Sequence, residues 1–184
     1  MTRTSALIER AAAEGLLDIA YAPVDTPLGP LIAATTPRGL VRLAYERDNG
    51  GLDAILDRLA ARLSPRILEA PERLDATRRE LTEYFTGRRD RFDLPIDWSL
   101  VGPFGRRILR ATATIPFGST RTYAEIAGTA GSPRAHRAAG NALGANPIPI
   151  VVPCHRVVRS GGGLGGYTGG LQRKEELLRL EGVL

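Results

Sequence analysis

The residues best able to do chemistry lie in one short stretch, where Cys154, His155 and Arg156 follow one another. Cys154 is the only cysteine among 184 residues. Its thiolate would be the reactive form, and nearby cations favour a thiolate. A buried cysteine is also a common inert core residue, and neighbouring side chains on a strand point to opposite faces. Cys154 could therefore be a nucleophile or an inert core residue, and both interpretations remain. A bridging water or a kink in the backbone would be needed to couple His155 to Cys154.

The elements that must position this thiol begin with the valines on both sides of it. Val151, Val152, Val157 and Val158 are β-branched and favour extended, packed backbone. The pattern predicts a buried, extended segment with Cys154 where the apolar run meets polar residues.

A predicted helix-turn-helix precedes the cysteine. Thr122 and Glu125 have the spacing of a capping box, which predicts a short helix over Tyr123–Gly128. Ser132 is then expected to be the N-cap of a second helix, from Pro133 to about Leu143. Two short helices around a tight turn are typical of DNA-binding domains and of purely structural helix pairs.

Charge favours the DNA-binding interpretation. Residues 101–184 carry 11 basic and 4 acidic side chains, a net charge of +7, whereas residues 1–100 carry 14 and 16, a net charge of −2. A basic half indicates a polyanionic partner. The preference for arginine over lysine does not explain why acidic residues avoid this half.

The first half shows patterns of a small α/β scaffold without obvious chemistry. The shifts in composition and charge predict two domains, residues 1–100 and 101–184. Apolar periodicity predicts a small antiparallel meander and several helices. The strands are expected at 18–24, 30–35 and 40–45, and the helices at 1–17, 53–63, 75–85, 104–115 and 172–180.

A glycine-rich run, residues 161–170, follows the cysteine and contains seven glycines. It lacks the lysine-serine or lysine-threonine pair of a P-loop. A flexible linker is one interpretation. Tyr167 and Thr168 within the run favour a tight loop that approaches a flat ligand closely. Glu181 lies beyond the last leucines, where most glutamates are solvated.

Several function classes are excluded or disfavoured by composition. No apolar run approaches the roughly 20 residues needed to span a bilayer, and no secretory signal is expected. One cysteine permits no internal disulfide and no cysteine-rich zinc site, and His136 and His155 lack a metal-binding spacing. We expect a cytoplasmic protein without a metal or cofactor.

Several further motifs accompany the thiol. They are Gly140-Asn141-Ala142, Asn146-Pro147, Pro153-Cys154-His155-Arg156-Val157, Gly166-Tyr167-Thr168-Gly169-Gly170 and Lys174…Leu177-Leu178…Glu181-Gly182, and in the first half Thr26–Leu31 and Arg38–Leu40. Together they resemble the O6-alkylguanine-DNA alkyltransferase family, strongly over about residues 100–182 and more weakly over the first half.

The resemblance implies a two-domain α+β fold. Its first domain would be a ribonuclease-H-like α/β scaffold with antiparallel strands, and its second a mostly helical, winged-helix-like domain with the helix-turn-helix. The implied function is irreversible, single-turnover transfer of an alkyl group from O6-alkylguanine, and from O4-alkylthymine, in double-stranded DNA to Cys154. The base would be flipped out of the duplex, and a monomer would act without a cofactor.

The resemblance also implies roles for individual residues. Cys154 would be the alkyl acceptor, His155 the base acting through a water, Glu181 the carboxylate that orients it, Tyr123 the phenol at the leaving guanine, and Asn146 a hinge. Arg137 would fill the vacated base stack. The other implied DNA contacts are Arg134, Ala135, Ser132 and Tyr123, and the implied base pocket is Val157, Tyr167, Thr168 and Pro149.

Two alternatives remain beside this prediction. A non-catalytic alkyltransferase-like protein would bind the lesion only, but that class replaces the acceptor cysteine, which is present here as Cys154. A cysteine hydrolase would need an oxyanion hole and would leave the basic helix-turn-helix without a role.

Overall fold

A computed structural model describes residues 3–184, apart from the side chains of residues 3–5, 7 and 12. The chain forms two compact units. The first extends to Thr86 and also includes Asp93–Leu100, and the second comprises Gly87–Phe92 and Val101–Leu184.

The first unit is built on a four-stranded sheet with strand order β3-β2-β1-β4. The strands β1 (Ile19–Val24), β2 (Leu31–Thr36) and β3 (Gly39–Tyr45) form the predicted antiparallel meander. The sequence patterns did not predict the strand β4 (Ile67–Glu69), which pairs parallel to β1. Three residues are too few to show the alternation of apolar and polar residues that is typical of a strand. Only the pairing with β1 makes this segment a strand.

Three helices accompany the sheet. They are α1 (Arg3–Ala13), α2 (Gly51–Arg62) and α3 (Asp75–Phe85). Ile55 and Leu59 of α2 pack against sheet residues that include Ile19, Ile32 and Val41, as their helical spacing predicts. The predicted N-terminal helix is confirmed from residue 3, and residues 1 and 2 of that prediction lie outside the described residues.

The second unit is mostly helical. Its helices are α4 (Pro103–Ala113), α5 (Tyr123–Thr129), α6 (His136–Gly144) and α7 (Leu171–Leu180). Two short strands, β5 (Arg121–Thr122) and β6 (Val157–Val158), pair in parallel. The predicted capping box is confirmed, because the Glu125 amide donates to Thr122 Oγ1 and the Thr122 amide donates to the Glu125 carboxylate.

The start of the second helix of the helix-turn-helix differs from the prediction. The helix α6 begins at His136, so Ser132 is not its N-cap, and Ala135 occupies that position. Ser132 is used differently: its amide donates to the Ala127 carbonyl at 2.8 Å, and its carbonyl accepts from the Ala135 amide at 2.9 Å. These bonds end α5 and close a separate turn, which delays the helix by three residues.

The segment that carries the cysteine is buried as predicted but is not extended. Cys154–Arg156 forms a 3-10 turn, and Ile150 has a φ of 73°. The Asn146 side chain holds this conformation, because its Nδ2 donates to the Val152 carbonyl at 2.9 Å and its Oδ1 accepts from the Ile148 amide at 3.0 Å. These bonds from a side chain to the backbone override the extended preference of the valines. No helix within residues 3–184 is long and apolar enough to cross a membrane.

Candidate functional site

The Cys154 thiol is buried, with 4% of the residue exposed. Its Sγ lies 3.1 Å from Asn146 Nδ2, which donates a hydrogen bond to it. Burial raises the pKa of Cys154 to about 11, although the Asn146 hydrogen bond and the charge of Lys174 act in the opposite direction. The resting thiol is therefore protonated at neutral pH, and forming a thiolate requires a base.

His155 is the base nearest in sequence, and a buried carboxylate orients it. His155 Nε2 lies 2.9 Å from Glu181 Oε1, and both side chains are fully buried. Burial lowers the pKa of His155, with Glu181 opposing this effect, so the imidazole is neutral. Because a carboxylate only accepts, the ring proton belongs on Nε2. His155 Nδ1 then presents a lone pair, and no described protein atom hydrogen-bonds to it.

Arg156 completes this buried group, and its place there was not predicted from the sequence. Its Nε donates to Glu181 Oε2 at 2.8 Å and its Nη2 to Glu181 Oε1 at 2.8 Å. Its Nη1 donates to the Ile115 carbonyl at 2.6 Å. The guanidinium therefore serves as the internal counter-ion of Glu181. The structure also shows that Glu181 is not a solvated C-terminal residue.

A pocket of about 280 Å³ opens onto the thiol. This volume is close to the lower end of the range for small-molecule sites, roughly 300–1,000 Å³. Its walls come from α5, α6 and the glycine-rich loop, which we define as Arg159–Gly170. The lining residues are Tyr123, Gly140, Leu143, Gly144, Cys154, Gly166, Tyr167 and Thr168.

The structure therefore brings together most of the residues expected around a base, but not all of them. Tyr123, Tyr167 and Thr168 line the pocket with Cys154, and Thr168 Oγ1 donates to the Gly144 carbonyl at 3.0 Å. Val157 and Pro149 are buried and do not belong to this lining. The Val157 backbone instead pairs with Arg121 in the two-stranded sheet.

The exposed surface of the helix-turn-helix carries the expected cationic residues. Arg137 lies in the first turn of α6 and Arg134 in the turn before it, and both are exposed. Ser132 and Ala135 are half-buried. This arrangement presents two guanidinium groups beside the helix that lines the pocket.

Lys174 is the second residue that sequence reasoning left without a role. It is completely buried, and its Nζ donates to the backbone carbonyls of Val157, Leu164 and Gly166. The signal that could have revealed it is compositional. It is the only lysine in a chain that otherwise uses arginine for its basic residues.

A helix-turn-helix with exposed arginines, in the same unit as a pocket that holds a buried thiol, is typical of a nucleic-acid-binding protein. Residues 103–183 match the family model of the 6-O-methylguanine DNA methyltransferase DNA binding domain. Residues 19–98 match the model of the ribonuclease-like domain of the same proteins. The chain therefore belongs to the 6-O-methylguanine DNA methyltransferase family. This confirms the resemblance and the predicted two-domain fold.

Individual relatives agree with this assignment. A methylated-DNA–protein-cysteine methyltransferase of Methanosarcina barkeri is 37% identical over 88% of this chain and 96% of its own length. One of Mycolicibacterium paratuberculosis is 42% identical over 89% of this chain and 92% of its own. The crystal structure of Mycobacterium tuberculosis OGT in complex with DNA matches with a TM-score of 0.75 and 37% identity, covering 88% of this chain and 92% of that one.

Proposed function

We propose that this protein repairs DNA by moving the alkyl group of O6-alkylguanine in double-stranded DNA onto Cys154 Sγ, once per molecule. The observation that carries the proposal is the state of the buried His155 ring. Its Nε2 is hydrogen-bonded to Glu181, and no described protein atom hydrogen-bonds to its Nδ1. An imidazole held in this way is ready to accept a proton close to a thiol that needs to lose one. The names of the relatives support the same reaction.

The reaction balances without a cofactor. The Cys154 thiol passes its proton to His155 Nδ1 through a bridging water, and Glu181 stabilises the imidazolium that forms. A new bond joins Sγ to the alkyl carbon while the bond from that carbon to guanine O6 breaks. Tyr123, on the pocket wall, donates a hydrogen bond or a proton to the departing guanine, which makes guanine a better leaving group.

The base has to leave the duplex to reach a buried thiol. A pocket of about 280 Å³ has room for one flat base. Arg137 would enter the vacated stack, since a guanidinium can both stack and hydrogen-bond the orphaned partner base. Arg134, Ala135 and Ser132 would contact the DNA backbone beside it. O4-alkylthymine, which presents a similar alkylated oxygen on a smaller ring, is the second substrate that we propose.

Asn146 would act as the hinge between α6 and the thiol, because one side chain bonds Val152, Ile148 and Cys154 Sγ. Tyr167 and Thr168 would read the base, with the backbone of Val157 and the Pro149 turn supporting the pocket from behind. We propose further that the protein works as a monomer, with residues 1–100 as a scaffold for residues 101–184.

The decisive experiment is intact-protein mass spectrometry after mixing with a duplex that contains one O6-methylguanine. We expect a gain of one CH₂ per molecule, located on Cys154, and no gain for Cys154→Ala, which should still bind the duplex. Tight binding of the lesion by the unchanged protein without any mass gain would show a lesion-binding protein and refute the proposal.

A second experiment tests the flipping role of Arg137. Arg137→Ala should slow transfer from the duplex far more than transfer from free O6-benzylguanine, since only the duplex has a base to flip. Arg179→Ala, a change at an exposed arginine of α7, is the matched control. Equal losses on the two substrates would contradict the proposed role.

A further inference from the structure

The buried ammonium of Lys174 has no role in the steps described above. The side chain extends from α7, and none of it is exposed. An ammonium has three N–H donors. Here three carbonyls accept them: Val157 at 2.5 Å, Leu164, and Gly166 at 3.4 Å. Burying a charge costs free energy, which these hydrogen bonds offset.

These carbonyls belong to the cysteine segment and to the glycine-rich loop, which forms one wall of the pocket that holds the thiol. Val157 follows the 3-10 turn of Cys154, and Gly166 lines the pocket. Leu164 and Gly166 lie on either side of Gly165, whose backbone comes so close to Tyr123 that an added Cβ would lie 2.6 Å from the phenol oxygen. One side chain thus joins the cysteine segment to the part of the glycine-rich loop that meets Tyr123.

Apart from those made by Lys174, the hydrogen bonds of the loop lie toward its ends. Seven of residues 161–170 are glycine, and glycine buries no side chain and has the largest conformational freedom to lose. The backbone hydrogen bonds within the loop lie near its two ends, between Arg159, Gly162 and Gly163 and between Tyr167 and Gly170. The middle, Leu164–Gly166, is held by Lys174.

We propose that Lys174 is a positioning residue for alkyl transfer: its ammonium fixes the glycine-rich wall of the pocket at the distance from Cys154 that the base requires. This inference rests on the proposed function and adds a residue to it. Lys174 touches neither substrate nor reacting atoms. It acts through the carbonyls of Leu164 and Gly166. Loss of the ammonium should therefore displace the glycine-rich wall more than it disturbs the rest of the fold.

The test compares Lys174→Met, which keeps the length of the side chain but removes the ammonium, with Arg179→Met, which removes one exposed cation from the same helix. The first readout is the carbonyl ¹³C chemical shifts of Leu164 and Gly166. They should change in Lys174→Met and stay at the wild-type values in Arg179→Met. Unchanged shifts in Lys174→Met, or equal changes in the two variants, would overturn the inference.

The second readout is the rate of alkyl transfer from O6-methylguanine in a duplex, measured well below the melting temperature of each variant. We expect Lys174→Met to be at least about tenfold slower, since misplacing reacting groups by about 1 Å can cost about 10²-fold. A changed loop with a wild-type rate would overturn the inference. A wild-type protein that transfers nothing would instead refute the proposed function, and the carbonyl shifts would still decide whether Lys174 holds the wall.

A third measurement needs no substitution at Lys174 and decides the matter if Lys174→Met does not fold. Labelling with ¹³C-lysine gives a single side-chain signal, because the chain has one lysine. Burial lowers the pKa of Lys174 to about 8, while Cys154 acts to raise it, and the ammonium in turn lowers the pKa of His155. The Leu164 and Gly166 carbonyl shifts should follow the lysine titration, also in a Cys154→Ala background that removes the thiol. Carbonyl shifts that stay constant while the lysine titrates would overturn the inference.

Discussion

Replacing Arg156 with methionine should destabilise the second unit strongly. The change removes a guanidinium that is only 5% exposed and that makes two 2.8 Å hydrogen bonds to the Glu181 carboxylate. It takes both of these hydrogen bonds away from Glu181, a carboxylate that is itself only 4% exposed. The Ile115 carbonyl also loses its donor.

The size of the effect follows from this burial. Removing one partner of a buried ion pair costs about 3–5 kcal/mol, because the remaining charge is not solvated. For a chain of this length, 1 kcal/mol corresponds to about 2–4 °C in melting temperature, so we expect a decrease of roughly 6–20 °C. Thermal unfolding followed by circular dichroism and calorimetry at pH 7 measures it.

Two further variants make this test specific. Arg179→Met removes an exposed cation paired with Glu175, and surface pairs contribute only about 0–1 kcal/mol, so its melting temperature should change by a few degrees at most. The double variant Arg156→Met/Glu181→Gln should be less destabilised than the sum of its single variants, because it removes both charges of the buried pair together. A melting temperature of Arg156→Met within about 2 °C of the wild type, or strictly additive losses, would refute the reasoning.

Three more predictions concern single contacts. Gly39→Ala would place a Cβ 2.2 Å from the Pro95 carbonyl oxygen at a φ of +127°. We therefore expect the free energy of unfolding of the first unit to fall by more than about 2 kcal/mol. A wild-type urea midpoint would contradict this. Gly165→Ala would push its Cβ against the Tyr123 hydroxyl, so the rate of transfer from free O6-benzylguanine should fall by about 10²-fold. An unchanged rate would argue against the close approach of Gly165 to Tyr123. Burial acts to raise the pKa of Asp97, but hydrogen bonds from neighbouring side chains outweigh it and hold the pKa below 3.8. This stabilisation is present above pH 4 and is lost as the pH falls, so the difference in unfolding free energy between wild type and Asp97→Asn should shrink from pH 7 to pH 3 in urea titrations. A constant difference would show that the charge is not involved.

Much of the fold could be predicted from local patterns. The alternation of apolar residues gave β1 to β3, and the capping box of Thr122 and Glu125 gave the start of α5. These signals are short-range, since each depends on residues within one or two turns of chain. The prediction was wrong at Ser132, where two other local backbone bonds compete with capping: they end α5 and close a turn before α6.

The candidate site divides in the same way. The sequence by itself determined which groups are present: one thiol, a histidine beside it, and a run of glycines that can only form a loop. Only the tertiary structure decided which groups are buried and which are paired. Glu181 lies 26 residues from His155 and becomes its partner because α7 packs beside the cysteine turn, and Arg156 and Lys174 turn inward instead of toward solvent. The physical reason is that burial and pairing of a charge depend on groups distant in sequence, which residue type and spacing do not specify.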